Sequence, residues 1–446
     1  MKIYKFTLLA LCLFVGLISC DQPKTAVKTS VVPAIAPEPV SFHEYFARRE
    51  WLINNSEGDK VAYLLKSADN ANQSLYRQEA NFVYFTGIYK PSTYILMTPQ
   101  GVKINDKLFT TVIFTRDTLL LQERPHFESH GETVVNIREF NDVMSSVFPT
   151  IETLYVSGPE MTRFNDWLNG ERVDLLQLSG EKLHKRYVKL KILPFTSLGS
   201  MREVKSGSEL ANICYAIAIT EEALRNVWSA CTPGITENEI QGIIEYQFAK
   251  YDARQFAFYP IIGTGVNGLL PHYMDNNATT KDGEMIVMDL GARYHGYCAD
   301  ITRTFPVSGK FTQEQTEAYG ALLEVQKKLI EAVRPGVSLK EINRLSDQLI
   351  TEAGYIKYRL HSMTHHLGLE THDFETDTIL RSGHVITIEP GIYIPANATE
   401  LPEGFRGMGI RIEDDVLVTD TGYEVLSRRI PKEIADIEAA MNRPRK

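Results

Sequence analysis

The sequence predicts an α/β (α+β) chain of two domains, the second built from duplicated halves. Three observations carry this. Short β-branched and aromatic runs are mixed with helical patterns over the first part of the chain. The run "PGITENEI" (233–240) returns as "PGVSLKEI" (335–342). Likewise "DGEMIVMDLG" (282–291) returns as "SGHVITIEPG" (382–391). The 446 residues leave room for two or three domains, and 43% of them are hydrophobic, enough to build real cores. A formal net charge of -9, with no basic face advertised, argues against nucleic acid as a partner.

The N-terminus stands apart. In "MKIYKFTLLALCLFVGLISCDQ", Lys2 and Lys5 precede an apolar run from Phe6 to Ile18. The run is short for a membrane span and reads as a secretory signal over residues 1–19. Leu17-Ile18-Ser19-Cys20 resembles a bacterial lipobox. That resemblance implies cleavage before Cys20, a lipid on Cys20, and attachment to a membrane of the bacterial cell envelope, periplasmic or outer-membrane associated. A plain signal peptide or an uncleaved anchor is the alternative. Residues 20–40, with Pro33, Pro37 and Pro39, read as an extended tether. Cys214, Cys231 and Cys298 make no disulfide framework and read as core residues.

A first domain is expected over 41–195. It opens on an amphipathic helix around Tyr45–Asn54. Strand-like runs follow at 61–65, 82–88, 93–97, 110–114 and 153–157. The stretch 192–209 reads as the connection into a second domain over 200–435. There Thr236 with Glu239, and Ser338 with Glu341, spell capping boxes that open two equivalent helices. Ile240, Ile243 and Ile244 form the apolar face of one, and Ile342, Leu345 and Leu349 that of the other. Each follows another helix, marked by Leu210, Ile213, Ile217 and Leu224, or by Leu322, Leu323, Leu329 and Ile330.

The repeat sets Asp289 and Glu389 at equivalent positions at the ends of apolar runs. Asp300 and Glu413 each belong to the next strand-like run. Each half thus offers two carboxylates, and an approximate two-fold axis would gather all four. Carboxylates in apolar strands are costly unless paired or bound to metal. Four together repel and take up protons, and two divalent cations would balance them. The alternative gives each acid its own arginine or backbone partner, with Arg303 and Arg411 available. A histidine would complete a metal site, and "HSMTHHLGLETHD" (361–373) holds four of the chain's 11: His361, His365, His366 and His372. Oxygen-rich coordination with one imidazole suits Mn, Co, Fe or Zn. Two such ions about 3.5 Å apart can hold a hydroxide nucleophile and polarise a carbonyl, which is machinery for amide hydrolysis.

The runs "MREVKSGSEL", "GTGVNGLLPHY", "IVMDLG", "ADITRTFPVSG", "HHLGLETHD", "ITIEPGIYI" and "GIRIEDD" stand in the order of the pita-bread metallopeptidases (family M24). The chain from about 200 to 430 resembles that family, which includes methionine aminopeptidase, prolidase and aminopeptidase P. The resemblance implies a pita-bread (creatinase/aminopeptidase) fold with duplicated halves and a curved antiparallel sheet. It implies two divalent metal ions, Mn2+ first with Co2+, Zn2+ or Fe2+ as alternatives, on Asp289, Asp300, His365, Glu389 and Glu413. It also implies catalytic roles for His272, His372 and Glu389, and substrate contacts for His361, Tyr393 and Arg411. "YFARREWLI" (45–53) and "LYRQEANFVYFTGI" (75–88) resemble the N-terminal domain of aminopeptidase P, which methionine aminopeptidase lacks. The implied activity is release of the N-terminal residue from peptides with proline in second position, through a dinuclear metal-bound hydroxide. Prolidase, acting on Xaa-Pro dipeptides, and a non-catalytic binding protein of the same fold are the alternatives. Relatives often associate, so a homo-oligomer is expected. Thr364, His366 and Pro271 depart from the family's usual residues and bear on the pocket's shape; His366 stands where an aromatic ring is common, and its replacement is expected to alter substrate preference.

Overall fold

The computed structural model describes residues 30–68, 78–157, 190–195, 200–375 and 379–442. The expected signal and Cys20 lie outside these residues, as does part of the run 75–88.

The first domain carries a six-stranded sheet. Its strands are β1 (Val61–Lys66), β2 (Tyr94–Ile104), β3 (Lys107–Thr115), β4 (Glu132–Asn136), β5 (Thr153–Val156) and β6 (Lys191–Pro194). Their spatial order is β4-β3-β2-β1-β5-β6. β1 pairs antiparallel with β2 and parallel with β5. Both faces are covered, so the strands are nearly continuous apolar runs. Side-chain alternation then divides them. Ala62 and Leu64 pack with Phe140 and Met144 in one cluster, whereas Val61, Tyr63 and Leu65 face a larger core that continues through the second domain. The stretch 192–209 is more than a connection. It begins with the sheet's last strand and includes a short helix, Ser200–Glu203.

The run 82–88, expected as a strand from its aromatic and β-branched content, is a helix, Ala80–Thr86. Glu79 caps its first turn through Asn81 and Phe82 N–H groups, and Gly87, at φ 64, closes it. Phe82, Val83, Tyr84 and Phe85 are all buried. Burial on all sides removes the amphipathic period that would have betrayed a helix, and tertiary packing overrides strand propensity.

The described part of the expected tether is docked. Val32 and Val40 are buried, Val31 N–H donates to Glu222 at 3.1 Å, and Ser30 shares a hydrogen bond of 2.6 Å with Tyr251. The valines that flank the prolines give this segment something to bury, whereas Ile35 between them is exposed. Among the cysteines, Cys231 and Cys298 are buried, but Cys214 is exposed on the helix Gly207–Ala230.

The second domain repeats one plan. Helices Gly207–Ala230 and Glu237–Lys250 open the first half, and Gln313–Glu331 and Leu339–Glu352 open the second. Both expected capping boxes form, and the preceding helices carry two more, Ser206 with Glu209 and Thr312 with Gln315. The Pro-Gly turns match as well. Gly234 N–H donates to Thr280 O at 3.0 Å, and Gly336 N–H to Leu380 O at 2.9 Å.

After short strands β7 (Gln255–Phe256) and β8 (Ile261–Thr264), the first half folds into one long hairpin. Its arms are β9 (Met285–Leu290) with β10 (Ala292–Tyr294), then β11 (Tyr297–Cys298) with β12 (Ile301–Pro306). In the second half they are β13 (Val385–Ile388) with β14 (Gly391–Ile394), then β15 (Met408–Arg411) with β16 (Asp414–Val418), which β17 (Tyr423–Val425) flanks. A single antiparallel register runs through each hairpin despite the break in its middle. At the first break a Cβ on Gly291 would lie 1.8 Å from Ala299 O, so only glycine fits. The hairpins meet where Glu413 N–H donates to Thr302 O at 3.1 Å and Arg411 N–H to Thr304 Oγ1 at 3.0 Å.

Candidate metal centre

The breaks in the two hairpins place the carboxylates. Asp289 is the penultimate residue of β9, Asp300 precedes β12, Glu389 follows β13, and Glu413 precedes β16. His365 comes from the loop before β13, held by a hydrogen bond between its N–H and Thr387 Oγ1 at 3.3 Å. Ligand atoms of Asp300, His365 and Glu413 lie within 4.8 Å of one another. His365 Nε2 is 3.5 Å from both Asp300 Oδ2 and Glu389 Oε1. Thr302, opposite Asp289 in the ladder, donates its hydroxyl to Glu413 Oε2 at 2.7 Å.

Arg411 ties Asp289 into this group. Its Nη2 donates to Asp289 Oδ2 at 2.8 Å, its Nε to Thr302 Oγ1 at 3.0 Å, and its Nη1 to Tyr393 OH at 2.8 Å. With Tyr393 OH receiving from Arg411, the phenol hydrogen is directed to His361 Nε2, 2.8 Å away. His361 Nδ1–H then donates to Ser362 O at 2.7 Å.

Burial and mutual repulsion govern the charges. Burial first, and then the neighbouring carboxylates, push Asp300 and Glu413 well above the usual carboxylate range. Burial pushes Glu389 up to about 8. Burial also holds His365 down at about 3 and His361 at about 4, so both imidazoles are neutral.

These groups fit divalent cations. His365 Nδ1–H donates to His366 O at 3.0 Å, which leaves the Nε2 lone pair facing the carboxylates. Asp289 Oδ1 is buried and has no hydrogen-bond partner among the described residues. A buried set of four carboxylates beside a neutral imidazole, with Arg411 paired to Asp289, is a cation site by its donor chemistry.

The cluster sits in a cleft of about 1180 Å3. Asp289, Asp300, His365, Glu389, Glu413, Arg411, His272, His361 and His372 all line it. Phe258, Tyr259 and Met274 add apolar wall, and Lys66, Ser67 and Ser157 of the first domain extend the cleft to the ends of β1 and β5. The ring of His372 meets that of His365 edge-on, with centroids 4.1 Å apart.

The profile of Metallopeptidase family M24 matches residues 211–420. The Xaa-Pro aminopeptidase of Escherichia coli is 31% identical, aligned over 91% of this chain and 99% of its own length. The chain belongs to metallopeptidase family M24. The Xaa-Pro aminopeptidase of Haemophilus influenzae is 33% identical over 82% of this chain and 89% of its own. Among solved structures, E. coli aminopeptidase P with the inhibitor Pro-Leu superposes with a TM-score of 0.75 at 29% identity, covering 91% of this chain and 99% of that one. Pseudomonas aeruginosa aminopeptidase PepP gives a TM-score of 0.78 at 28% identity, over 90% and 98% of the two chains.

Within this M24 frame two expectations change. Tyr393 is buried and does not line the cleft; it stands behind the wall, holding His361 and Arg411. His366 does not face the pocket either. It is fully buried, its ring packs on His384 at 4.9 Å, and neither ring nitrogen has a partner among the described residues. The hydrogen-bonding neighbour of a ligand points away from the site, so the substituted ring faces core. Thr364 and Pro271 do line the cleft. Thr302 and Asp415 escaped the sequence reading. Asp415 Oδ2 receives the N–H of Asp300 at 3.2 Å. The acidic pair after Glu413 in "RIEDD" was the available signal.

Proposed function

We propose that the protein is a metal-dependent Xaa-Pro aminopeptidase, releasing the first residue of peptides whose second residue is proline. One observation carries this: five ligand-type side chains from both halves of an M24 domain converge in a cleft roomy enough for a peptide. The E. coli Xaa-Pro aminopeptidase, matched over 99% of its length, supports the same reaction. In this reading Asp289, Asp300, His365, Glu389 and Glu413 would hold two divalent cations. Mn2+ is the first candidate, with Co2+, Zn2+ and Fe2+ behind it. When bound, the pair supplies Lewis acidity toward the scissile carbonyl and an acidified water to attack it.

The chain's own groups do the rest. Glu389, 3.5 Å from His365 and 3.7 Å from His361, is placed to accept a proton from the attacking water and pass it to the proline nitrogen. His372 and His272, both on the cleft wall, are the donors toward the oxygen that gathers charge. The C–N bond then breaks, leaving a carboxylic acid and a peptide that begins with proline. A proline nitrogen inside a peptide bond has no N–H, so recognition rests on shape. His361, with both nitrogens already engaged, meets the substrate as a ring wall.

The same reading takes 41–195 and 200–435 as the two domains, residues 1–19 as a signal peptide, and Cys20 as a lipid anchor in the bacterial cell envelope. A homo-oligomer belongs to it as well. Loss of labelled fatty acid from a Cys20→Ala variant tests the anchor.

The decisive assay offers Xaa-Pro-Yaa, Xaa-Ala-Yaa and Xaa-Pro to metal-stripped protein resupplied with one metal at a time. Cleavage of the proline tripeptide, restored by Mn2+, is expected. Cleavage of the dipeptide alone would make the protein a prolidase, and absence of both metal uptake and cleavage would make it a binding protein.

A further inference from the structure

The run "MREVKSGSEL" lies between the domains, and none of its residues belongs to the metal cluster or the cleft wall. Its charges are nonetheless buried. The side chains of Arg202 and Lys205 are 3% and 1% exposed, and both meet Asp373, itself 1% exposed. Arg202 Nη2 donates to Asp373 Oδ1, and Lys205 Nζ to Oδ2 at 3.0 Å. Arg202 and Lys205 share the charge of Asp373, one on each carboxylate oxygen, and Arg202 Nη2 also donates to Glu370 Oε2 at 2.7 Å, a residue of the cleft wall. With its planar fork spread over several acceptors, Arg202 adds direction to charge.

Arg202 is held from the far side. Its Nη1 donates to Asn81 Oδ1 at 2.9 Å, and Tyr84 OH donates to Met201 O at 2.8 Å. Both partners sit on the first-domain helix Ala80–Thr86. The other end of the connector is clamped too. Arg381 donates to Glu203 at 2.9 Å, and Lys205 N–H to Gly383 O at 2.8 Å.

The line of contacts ends at the metal centre. Asp373 N–H donates to His366 O at 2.9 Å, and that same carbonyl receives His365 Nδ1–H at 3.0 Å. His372, next in sequence to Asp373, packs edge-on against His365. A ligating imidazole is aimed by whatever receives its second N–H. Here the acceptor is a carbonyl whose position depends on Asp373.

We propose that Arg202 is a positioning residue. Through Asp373 and the His366 carbonyl it sets the rings of His365 and His372, and through Asn81 it makes the first domain a support of the metal centre. This rests on the reading of His365 as a ligand.

The test uses full-length protein loaded with Co2+. Arg202→Met is expected to keep metal stoichiometry, to shift the cobalt d–d bands, and to lower kcat on a Xaa-Pro-Yaa peptide about 10- to 100-fold with KM little changed. Arg202→Lys should recover part of both. In a His372→Ala background the Arg202→Met change should cost less in kcat than it does alone. Should Arg202→Met not fold, Asn81→Ala carries the same readouts, with a smaller band shift in the same direction. An unchanged cobalt spectrum in these variants, or an Arg202 effect that multiplies in full with His372→Ala, overturns the proposal. Failure of the aminopeptidase reading looks different: wild-type protein would not turn over the peptide, while the cobalt bands would still report on Arg202.

Discussion

Arg411 donates to Asp289 Oδ2 at 2.8 Å, while the second oxygen of Asp289 is buried with no partner among the described residues. One guanidinium thus fixes a carboxylate and aims its free oxygen at the cluster. Arg411→Met should release that oxygen and also free Tyr393 and Thr302. Turnover is expected to fall about 10- to 100-fold with metal still bound, and Arg411→Lys should rescue it poorly because a point charge cannot replace three directed donors. Steady-state kinetics beside elemental analysis checks this.

Asp300 and Glu413 each place a ligand atom in the tightest part of the cluster. Alanine at either position should abolish turnover and reduce bound metal. Wild-type metal content in Glu413→Ala would remove it from the ligand set.

The acids and the histidines pull pH dependence in opposite directions. Metal-free, Asp300, Glu413 and Glu389 hold protons that an unfolded chain would release, because burial raises them, Glu389 to about 8. Their folded form loses stability as pH rises above the ordinary carboxylate range. His361, His365 and His366, depressed to between about 3 and 4, oppose this below their ordinary 6.5 and lend nothing further above it. The melting temperature of metal-free protein should therefore fall from about pH 6.5 to 8. Metal should remove that fall, and its uptake at neutral pH should release protons, measurable by calorimetry in buffers of different ionisation enthalpy.

Glu237 is fully buried and receives four donors: Thr264 N–H at 2.8 Å, Tyr273 OH and Ala278 N–H at 2.9 Å, and Asn267 Nδ2 at 3.1 Å. These span the loop that carries His272. Glu237→Ala should cost about 3 kcal/mol in denaturant unfolding and raise KM.

His366→Leu removes a buried imidazole whose ring nitrogens have no hydrogen-bond partner among the described residues, and keeps the backbone carbonyl that serves His365. Stability should change by less than about 1 kcal/mol, and preference among Xaa-Pro-Yaa peptides should stay as it is. A changed preference would place His366 on the substrate path.

The duplicated plan was readable because capping boxes and Pro-Gly turns are local chemistry. Thr236 with Glu239 and Ser338 with Glu341 form as spelled. The carboxylates were readable because acids at the ends of apolar runs demand an explanation. The helix Ala80–Thr86 was not, since a run buried on every side has no amphipathic period. Direction was equally hidden. Whether His366 faces cleft or core, or Tyr393 wall or backing, depends on the strand and loop that receive it. The partnership of Arg202 with Asp373 joins residues 171 positions apart and leaves no local trace.

The two hairpins share one design, yet the imidazole comes from the second half alone. Their registers are not alike either: the ladder through Ile388–Asp414 and Gly391–Arg411 sets Glu389 opposite Glu413, whereas Asp289 faces Thr302. The repeated backbone therefore encloses a lopsided chamber, acidic on both strands of one hairpin and with hydroxyl facing acid on the other, so a bound peptide meets two unlike walls.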